Sequence, residues 1–274
     1  MHPENYFARI GYTGSRAPTH ATLAALCAHH IAAIPFENID VLLERAVDIS
    51  APAVEAKLVA NRRGGYCFEH NGLFKRVLAA LGFDVESLAA RVLWLAQENE
   101  APRPRTHSAL RVWLDGQAWL VDVGFGGWVP PGPLALANEA PQRIGQEVFR
   151  IRPATPARAA GSVILEAELE GVWRALYELS PEPLFDVDYL PLNWFTSTHP
   201  GSIFKQDLRA AITTPEARYM LMNGRLTVRG RNGGSERRKL DAAQLETVLR
   251  ETFGLPVEAS WRPLLQRLCG APEK

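Results

Sequence analysis

The sequence has no apolar run approaching the roughly 20 residues that span a bilayer, no surplus of either charge and only three cysteines. The first absence argues against a membrane helix. Lys and Arg number 30 against 30 Asp and Glu, a formal net charge of +0, so no overall basic field draws the chain to nucleic acid or an anionic membrane. The opening MHPENYFARIGY has neither a basic n-region nor an apolar h-region, so no secretory signal is expected. Cys27, Cys67 and Cys269 are an odd number at wide spacings, which fits free thiols in a reducing compartment, the cytoplasm, better than a disulfide framework. Internal repeats, long low-complexity tracts and a glycine-rich phosphate loop of recognised spacing are also missing. What is present is an ordinary globular composition, 47% apolar over 274 residues, long enough for two or three compact modules.

The pattern changes along the chain in three blocks. Leu23, Leu26, Cys27, Ile31 and Ile34 recur at helical spacing behind Thr19, a suitable N-cap. Ser50 is placed to cap a second helix, with Pro52 in its first turn, Val54, Leu58 and Val59 on its apolar face and Gly64-Gly65 stopping it. A third starts at Cys67, carries Phe74, Val77, Leu78 and Leu81 on one face and ends at Gly82. Residues 1–83 thus read as helical. From Asp84 to about 187, stretches such as ARVLWL, HSALRVWLDGQAWLVDVGF, VFRIRP and SVILEAEL are rich in β-branched and aromatic residues and read as a sheet or barrel. From 188 to 274 the pattern is mixed: ARYMLMNGRLTV reads as a hairpin turning at Asn223-Gly224, and DAAQLETVLRETFG as a helix capped by Asp241 and Gln244. Residues 153–161 and 230–238 read as loops. The order implies an α+β protein of three modules, not a doubly wound sheet.

In NRRGGYCFEHNGLF, Cys67 stands in the first turn of its helix. A lone helical cysteine is ordinarily a small buried hydrophobe, and Cys27 fits that description. Cys67 differs because unpaired backbone N–H groups and the helix dipole at that end favour negative charge, both on a thiolate and on an oxyanion. The Gly64-Gly65 pair would permit a sharp turn and leave space for a substrate above the sulfur.

A cysteine nucleophile needs a base and a group that orients it. Asp115-Gly116 predicts a two-residue hairpin, which sets Leu114 opposite Gln117, Ala109 opposite Asp122 and His107 opposite Gly124. His107 and Asp122 then share a face as diagonal neighbours, near enough for a carboxylate to reach an imidazole; a bulge would break the match. WLVDVGFG embeds Asp122 among apolar residues, where an imidazolium partner would offset the cost of burial. The blander readings are a solvated strand-end carboxylate and a structural histidine. His70, three residues after Cys67, is the rival base, with no carboxylate obviously placed to orient it. Zinc bound by Cys67, His70 and His107 is a weaker alternative, because no second Cys or His gives the usual paired spacing. Arg62 and Arg63 are either a solvated face or contacts for an anionic substrate.

NRRGGYCFEHN, THSALRV around His107, WLVDVGFG around Asp122 and IPFEN at 34–38 together resemble the arylamine N-acetyltransferases in order and spacing, and the likeness extends to YFARIGY and NWFTSTHPGSIF. The resemblance implies a helical bundle bearing the nucleophile Cys67, a central β-barrel bearing the base His107 and the carboxylate Asp122, and a C-terminal α/β lid, with a cysteine-peptidase-like Cys-His-Asp core. It implies acetyl-coenzyme A as cosubstrate, with no tightly bound cofactor and no metal, and an arylamine, arylhydrazine or N-hydroxyarylamine as acceptor, the acetyl group passing through a Cys67 thioester. By the same likeness Phe36, Val92, Phe125, Gly126 and Phe204 line or adjoin the acceptor pocket. The departure is His70, where this family more often has an uncharged residue; a second imidazole would complicate the pH behaviour. The same triad logic also serves an amide synthase related to this family, cysteine peptidases and transglutaminases, and an inert Cys67 would leave only a binding module.

Overall fold

Residues 3–96, 100–155, 160–231 and 233–270 are described in the computed structural model. The chain runs through α1 (Pro3–Ile10), α2 (His20–Ala33), β1 (Phe36–Glu37), α3 (Ile39–Leu42), α4 (Ala51–Val54) and α5 (Cys67–Ala80). Strands β2 (Asp84–Val92), β3 (His107–Leu114), β4 (Gln117–Val121), β5 (Leu134–Ala135), β6 (Gln142–Ile144), β7 (Glu147–Pro153), β8 (Val163–Leu169) and β9 (Val172–Leu184) follow. Then come α6 (Tyr189–Thr198), β10 (Arg209–Thr213), β11 (Ala217–Met222), β12 (Arg225–Gly230), β13 (Ser235–Lys239), α7 (Ala242–Glu251) and α8 (Arg262–Gly270). Among the described residues no helix is long and apolar enough to cross a membrane.

Local chemistry accounts for most helix ends. Thr19 Oγ1 accepts from the Thr22 N–H at 3.3 Å to open α2, and Asp241 and Gln244 bond reciprocally at 2.9 and 3.0 Å to open α7. Helix α5 is opened by Glu69, whose carboxylate accepts from the Tyr66 N–H at 3.0 Å, and is closed by Gly82 at φ +85°. Ser50 precedes α4 as expected but its side chain caps nothing; its own N–H donates to Asp48 Oδ1 at 2.8 Å. From Glu55 to Ala60 the helix widens to a π-helical turn, which releases the Leu58 carbonyl to accept from Arg9 Nε at 3.0 Å.

The second block forms an antiparallel eight-stranded sheet in the order β5-β4-β3-β2-β9-β8-β7-β6, rolled into a nearly closed barrel. The Gln142 amide joins the two end strands, accepting from the Ala135 N–H at 2.8 Å and donating to the Ala135 carbonyl at 3.0 Å as a peptide group would. Alternation along the strands divides two cores. Leu88, Ala109, Leu120, Leu134, Phe149 and Tyr177 fill the barrel, while Leu110, Val112 and Val121 face outward against Leu23, Leu26, Phe74 and Val77 of the helices. Helix α5 is thereby pressed along the outside of β3. The ARVLWL strand stops at Val92, since the N–H groups of Leu93 and Trp94 both turn to the Leu176 carbonyl at 2.8 and 3.1 Å.

The last sheet runs β1-β10-β11-β12-β13, with Asn223 at φ +51° in the β11–β12 turn, and packs its inner face on Leu245, Leu249, Phe253 and Trp261. Its composition corrects two expectations. Residues 36–37 are extended and pair with Ala210 and Ala211, so the first 83 residues are not wholly helical. Residues 235–239 form a strand on β12 despite their exposure and charge, because pairing satisfies the backbone whatever the side chains are. The loop read at 153–161 begins after Pro153, which closes β7 opposite Val163; residues 156–159 lie outside those described.

Arg63 corrects a third expectation, being neither solvated nor free to meet an anionic substrate. It is buried, donates to Glu37 at 2.7 Å and Asp40 at 3.1 Å, and lies over the Trp261 ring at 4.7 Å. Lys57 adds a bond to Asp40 at 2.7 Å and one to Glu69 at 2.8 Å, so the start of α5 is tied into a buried ionic cluster. Removing one partner would strand the others: Arg63→Ala is expected to cost about 3–5 kcal/mol, seen in urea unfolding. A loss below 1 kcal/mol would mean that the cluster is solvated.

Candidate active site

The turn that the sequence predicts is there: Asp115 at φ +51° and Gly116 at φ +76° set Leu114 opposite Gln117. Pairing continues to Leu110 opposite Val121 and then stops. Beyond that point His107 Nε2 lies 2.6 Å from Asp122 Oδ2, both side chains being buried. The ring's other nitrogen, Nδ1, is free of Asp122, and Cys67 is close enough to favour the charged imidazole. Cys67 is 3% exposed, and its sulfur is 3.6 Å from the Thr106 carbonyl. Thiol, imidazole and carboxylate are carried by α5, by the first residue of β3 and by the residue just after β4.

Electrostatics follow from that arrangement. Burial alone would lower the imidazole pKa, but the Asp122 charge and hydrogen bond, with Cys67 behind them, push it up to about 10. Burial would raise Asp122, yet His107, Asn71 and the Gly124 N–H hold it below the usual carboxylate range. Cys27, by contrast, is buried in the helical core, and its thiol is pushed well above the usual range by that burial and by the Asp122 charge.

The close fit around Cys67 depends on glycines. A Cβ on Gly124 would lie 2.8 Å from Cys67 Cα and 2.9 Å from Asn71 Nδ2, so only glycine lets the segment after Asp122 cross the start of α5. The Gly64-Gly65 pair does not open room for a substrate as expected. A Cβ at Gly64 would stand 2.1 Å from the Pro35 carbonyl oxygen and one at Gly65 2.5 Å from Glu69 Oε2, so the protein itself fills that space.

Four of the five expected pocket residues gather beside the site. The Phe36 ring is 5.9 Å from Phe204, Phe204 is 5.7 Å from Tyr66, and Gly126, at φ +82°, leaves room for the Phe36 ring, 3.3 Å from where its Cβ would be. Phe125 stands edge-on to His107 at 5.1 Å, and Tyr177 closes the ring's other approach at 4.9 Å. Val92 reaches the site only by register, lying opposite Tyr177 and two residues past Ala90, the partner of His107.

His70 is not a rival base. Its Nε2 lies 3.2 Å from the Pro35 carbonyl, its Nδ1 2.8 Å from His30 Nε2, and His30 Nδ1 2.8 Å from the Tyr6 hydroxyl. A carbonyl only accepts, so His70 Nε2 carries the proton, His30 Nε2 donates to His70 and Tyr6 donates to His30. Every member is neutral. Burial lowers His70 to about 4 and takes His30 well below its usual value, His70 and Arg9 adding to it. Asn71, Gly124 and Tyr177 were missed in the sequence. Only Asn71 left a signal, a polar side chain four residues after Cys67 on an otherwise apolar helix face. Among the described residues no group of three or more His, Cys, Asp or Glu is placed to hold a metal ion.

A helix-borne thiol facing a buried imidazole–carboxylate pair on a barrel is a centre suited to acyl transfer through a thioester. Residues 19–262 match the family model described as N-acetyltransferase. The chain is 43% identical over 256 residues to the arylamine N-acetyltransferase of Mycobacterium tuberculosis H37Rv, covering 92% of this chain and 88% of that protein. Its fold matches the solved arylamine N-acetyltransferase from M. tuberculosis with a TM-score of 0.92 at 39% identity, over 98% of this chain and 100% of that one. It also matches the Mycobacterium marinum arylamine N-acetyltransferase in complex with CoA, with a TM-score of 0.89 at 39% identity over 97% of each chain. The chain belongs to the arylamine N-acetyltransferase family.

The neutral histidine pair has a consequence for stability. An unfolded histidine binds its proton near pH 6.5 and the folded His70 only near 4, so this stability is complete above about pH 6.5 and is lost as pH falls through 4. Between pH 7 and 4, His70→Gln should lose less stability than the wild type, by up to about 3 kcal/mol, in urea unfolding at each pH. Parallel curves would show that His70 titrates alike in the folded and unfolded chain.

Proposed function

We propose that the chain transfers acetyl groups from acetyl-coenzyme A to arylamines, arylhydrazines or N-hydroxyarylamines by a ping-pong route, with Cys67 as nucleophile, His107 as base and Asp122 as its orienting carboxylate. The observation that carries this is the 2.6 Å bond between His107 and Asp122, facing a cysteine in the first turn of α5. Imidazolium His107 holds the Cys67 thiolate, which attacks the thioester carbon of acetyl-coenzyme A. The helix N-terminus faces the developing oxyanion, the Cys67 N–H being one donor. As the C–S bond to the coenzyme breaks, His107 gives its proton to the departing thiolate. The amine then attacks the acetyl-Cys67 carbon, neutral His107 takes its proton, and the cysteine leaves as thiolate. Asp122 keeps one ring nitrogen protonated throughout, so the other always faces the reaction.

Phe36, Phe125 and Phe204 form an aromatic wall that would favour a flat acceptor, with Gly126 making room for Phe36 and Val92 on the barrel side. Residues 1–83, 84–187 and 188–274 serve as thiol carrier, imidazole and carboxylate carrier, and lid. Balanced charge supports small-molecule partners over nucleic acid, and three free cysteines support a cytoplasmic setting.

Intact mass after brief exposure to acetyl-coenzyme A without amine is expected to rise by one acetyl group in the wild type and not in Cys67→Ala, and to fall back when an aniline is added. His107→Gln and Asp122→Asn should lower turnover by about 100-fold or more, as expected when a general base or its orienting carboxylate is lost. Acetylation of Cys67→Ala, or wild-type turnover by either of the others, would overturn the assigned role.

A further inference from the structure

The three reacting groups sit on three separate pieces of chain, Cys67 on α5, His107 in β3 and Asp122 just after β4. One buried side chain touches all three pieces. Asn71, four residues after Cys67 on α5 and 1% exposed, donates from Nδ2 to the Ser108 carbonyl at 2.7 Å and to Asp122 Oδ1 at 3.0 Å. Its Oδ1 accepts from the Val123 N–H at 3.0 Å. Ser108 follows His107 in β3, and Val123 follows Asp122. The amide therefore spans from the nucleophile's helix to the residues adjoining both the base and the carboxylate.

The partners also fix the amide's orientation. A carbonyl and a carboxylate require the NH₂ group, and a backbone N–H requires the oxygen, so a flipped amide would face like with like on both sides. Asp122 Oδ1 is then filled by Asn71 and by the Gly124 N–H at 2.8 Å, leaving Oδ2 as the oxygen that meets His107. A carboxylate with one oxygen saturated has one orientation available to it.

We infer that Asn71 is a positioning residue for acetyl transfer, the clamp that holds Asp122 Oδ2 on His107 while tying the Cys67 helix to both strands. It touches neither substrate nor the reacting atoms and acts through Asp122. The inference rests on the roles given to Cys67, His107 and Asp122. The charged or titratable groups facing the imidazole are Asp122 and Cys67, with the Tyr177 phenol against its ring.

The test uses the full-length protein with acetyl-coenzyme A and a simple aniline, comparing Asn71→Ala and Asn71→Asp with the wild type, and reads the His107 titration by imidazole NMR. Losing a charge-assisted hydrogen bond to Asp122 should lower kcat about tenfold or more in Asn71→Ala, with KM for the aniline within about twofold. The His107 midpoint should fall by about one unit, because a misaligned carboxylate stabilises the imidazolium less. Asn71→Asp has the shape of the native side chain and keeps the acceptor for Val123 but sets a second carboxylate against Asp122. Its activity should be lowest above neutral pH and recover as pH falls, when one proton shared by the two carboxyls replaces the lost donor. A folded Asn71→Ala with wild-type kcat, or with reduced kcat and an unmoved His107 midpoint, would overturn the inference; should Asn71→Ala not fold, a flat pH dependence in Asn71→Asp would do so. Acetylation of Cys67→Ala would instead overturn the underlying roles, so the two failures are distinguishable.

Discussion

Burying a carboxylate at Asp122 is the constraint on which the rest of the site depends. An ionised group in an apolar interior is tolerated only when its oxygens are hydrogen-bonded or paired with charge. Here an imidazole meets one oxygen, and an amide and a backbone N–H meet the other. Those needs explain why Asn71 points inward from α5. The charge that Asp122 retains keeps His107 an imidazolium beside Cys67, so one desolvated carboxylate sets the chemistry on the far side of the ring.

Two buried histidine systems lie close together in opposite states. His107 is charged because a carboxylate faces it; His70 and His30 are neutral because they face each other, a phenol and a carbonyl. Burial acts alike on both, so the partner decides. The neutral chain has its own structural use. Its terminal bond to the Pro35 carbonyl fixes the segment that carries Phe36 against α5, linking the aromatic wall to the helix that bears Cys67.

The start of α5 is held from both sides. Glu69 caps it and is itself paired with Lys57, which shares Asp40 with Arg63. Arg63 then reaches Glu37 in β1 and the Trp261 ring near the C-terminus. A nucleophile placed on a helix end, normally the part that frays, is thus fixed by charges drawn from residues 37 to 69 and by an aromatic ring nearly 200 positions further on. The ionic cluster gains little over an apolar packing of the same volume, but it leaves the helix end one position to occupy.

Much of this was legible locally. The Asp115-Gly116 turn demands positive φ at both positions, and period-two alternation then points Asp122 and His107 to one face. The ladder itself ends at Leu110 and Val121, before the Ala109–Asp122 and His107–Gly124 pairs that the turn predicts. Thr19, Asp241 and Gly82 announced their helix ends for similarly local reasons. The resemblance carried by NRRGGYCFEHN and WLVDVGFG supplied the acetyl donor and acceptor class. What tertiary structure alone decided concerns contacts between distant segments. Residues 36–37 could become a strand only once β10 offered an edge, and His70 lost its candidacy as a base only when His30 and Pro35 took both of its nitrogens. Arg63 reads as a surface cation until Glu37, Asp40 and Trp261 surround it. Turns and caps are short-range and follow from a few neighbouring residues; the partner of a buried polar group comes from anywhere in the chain, and packing selects it.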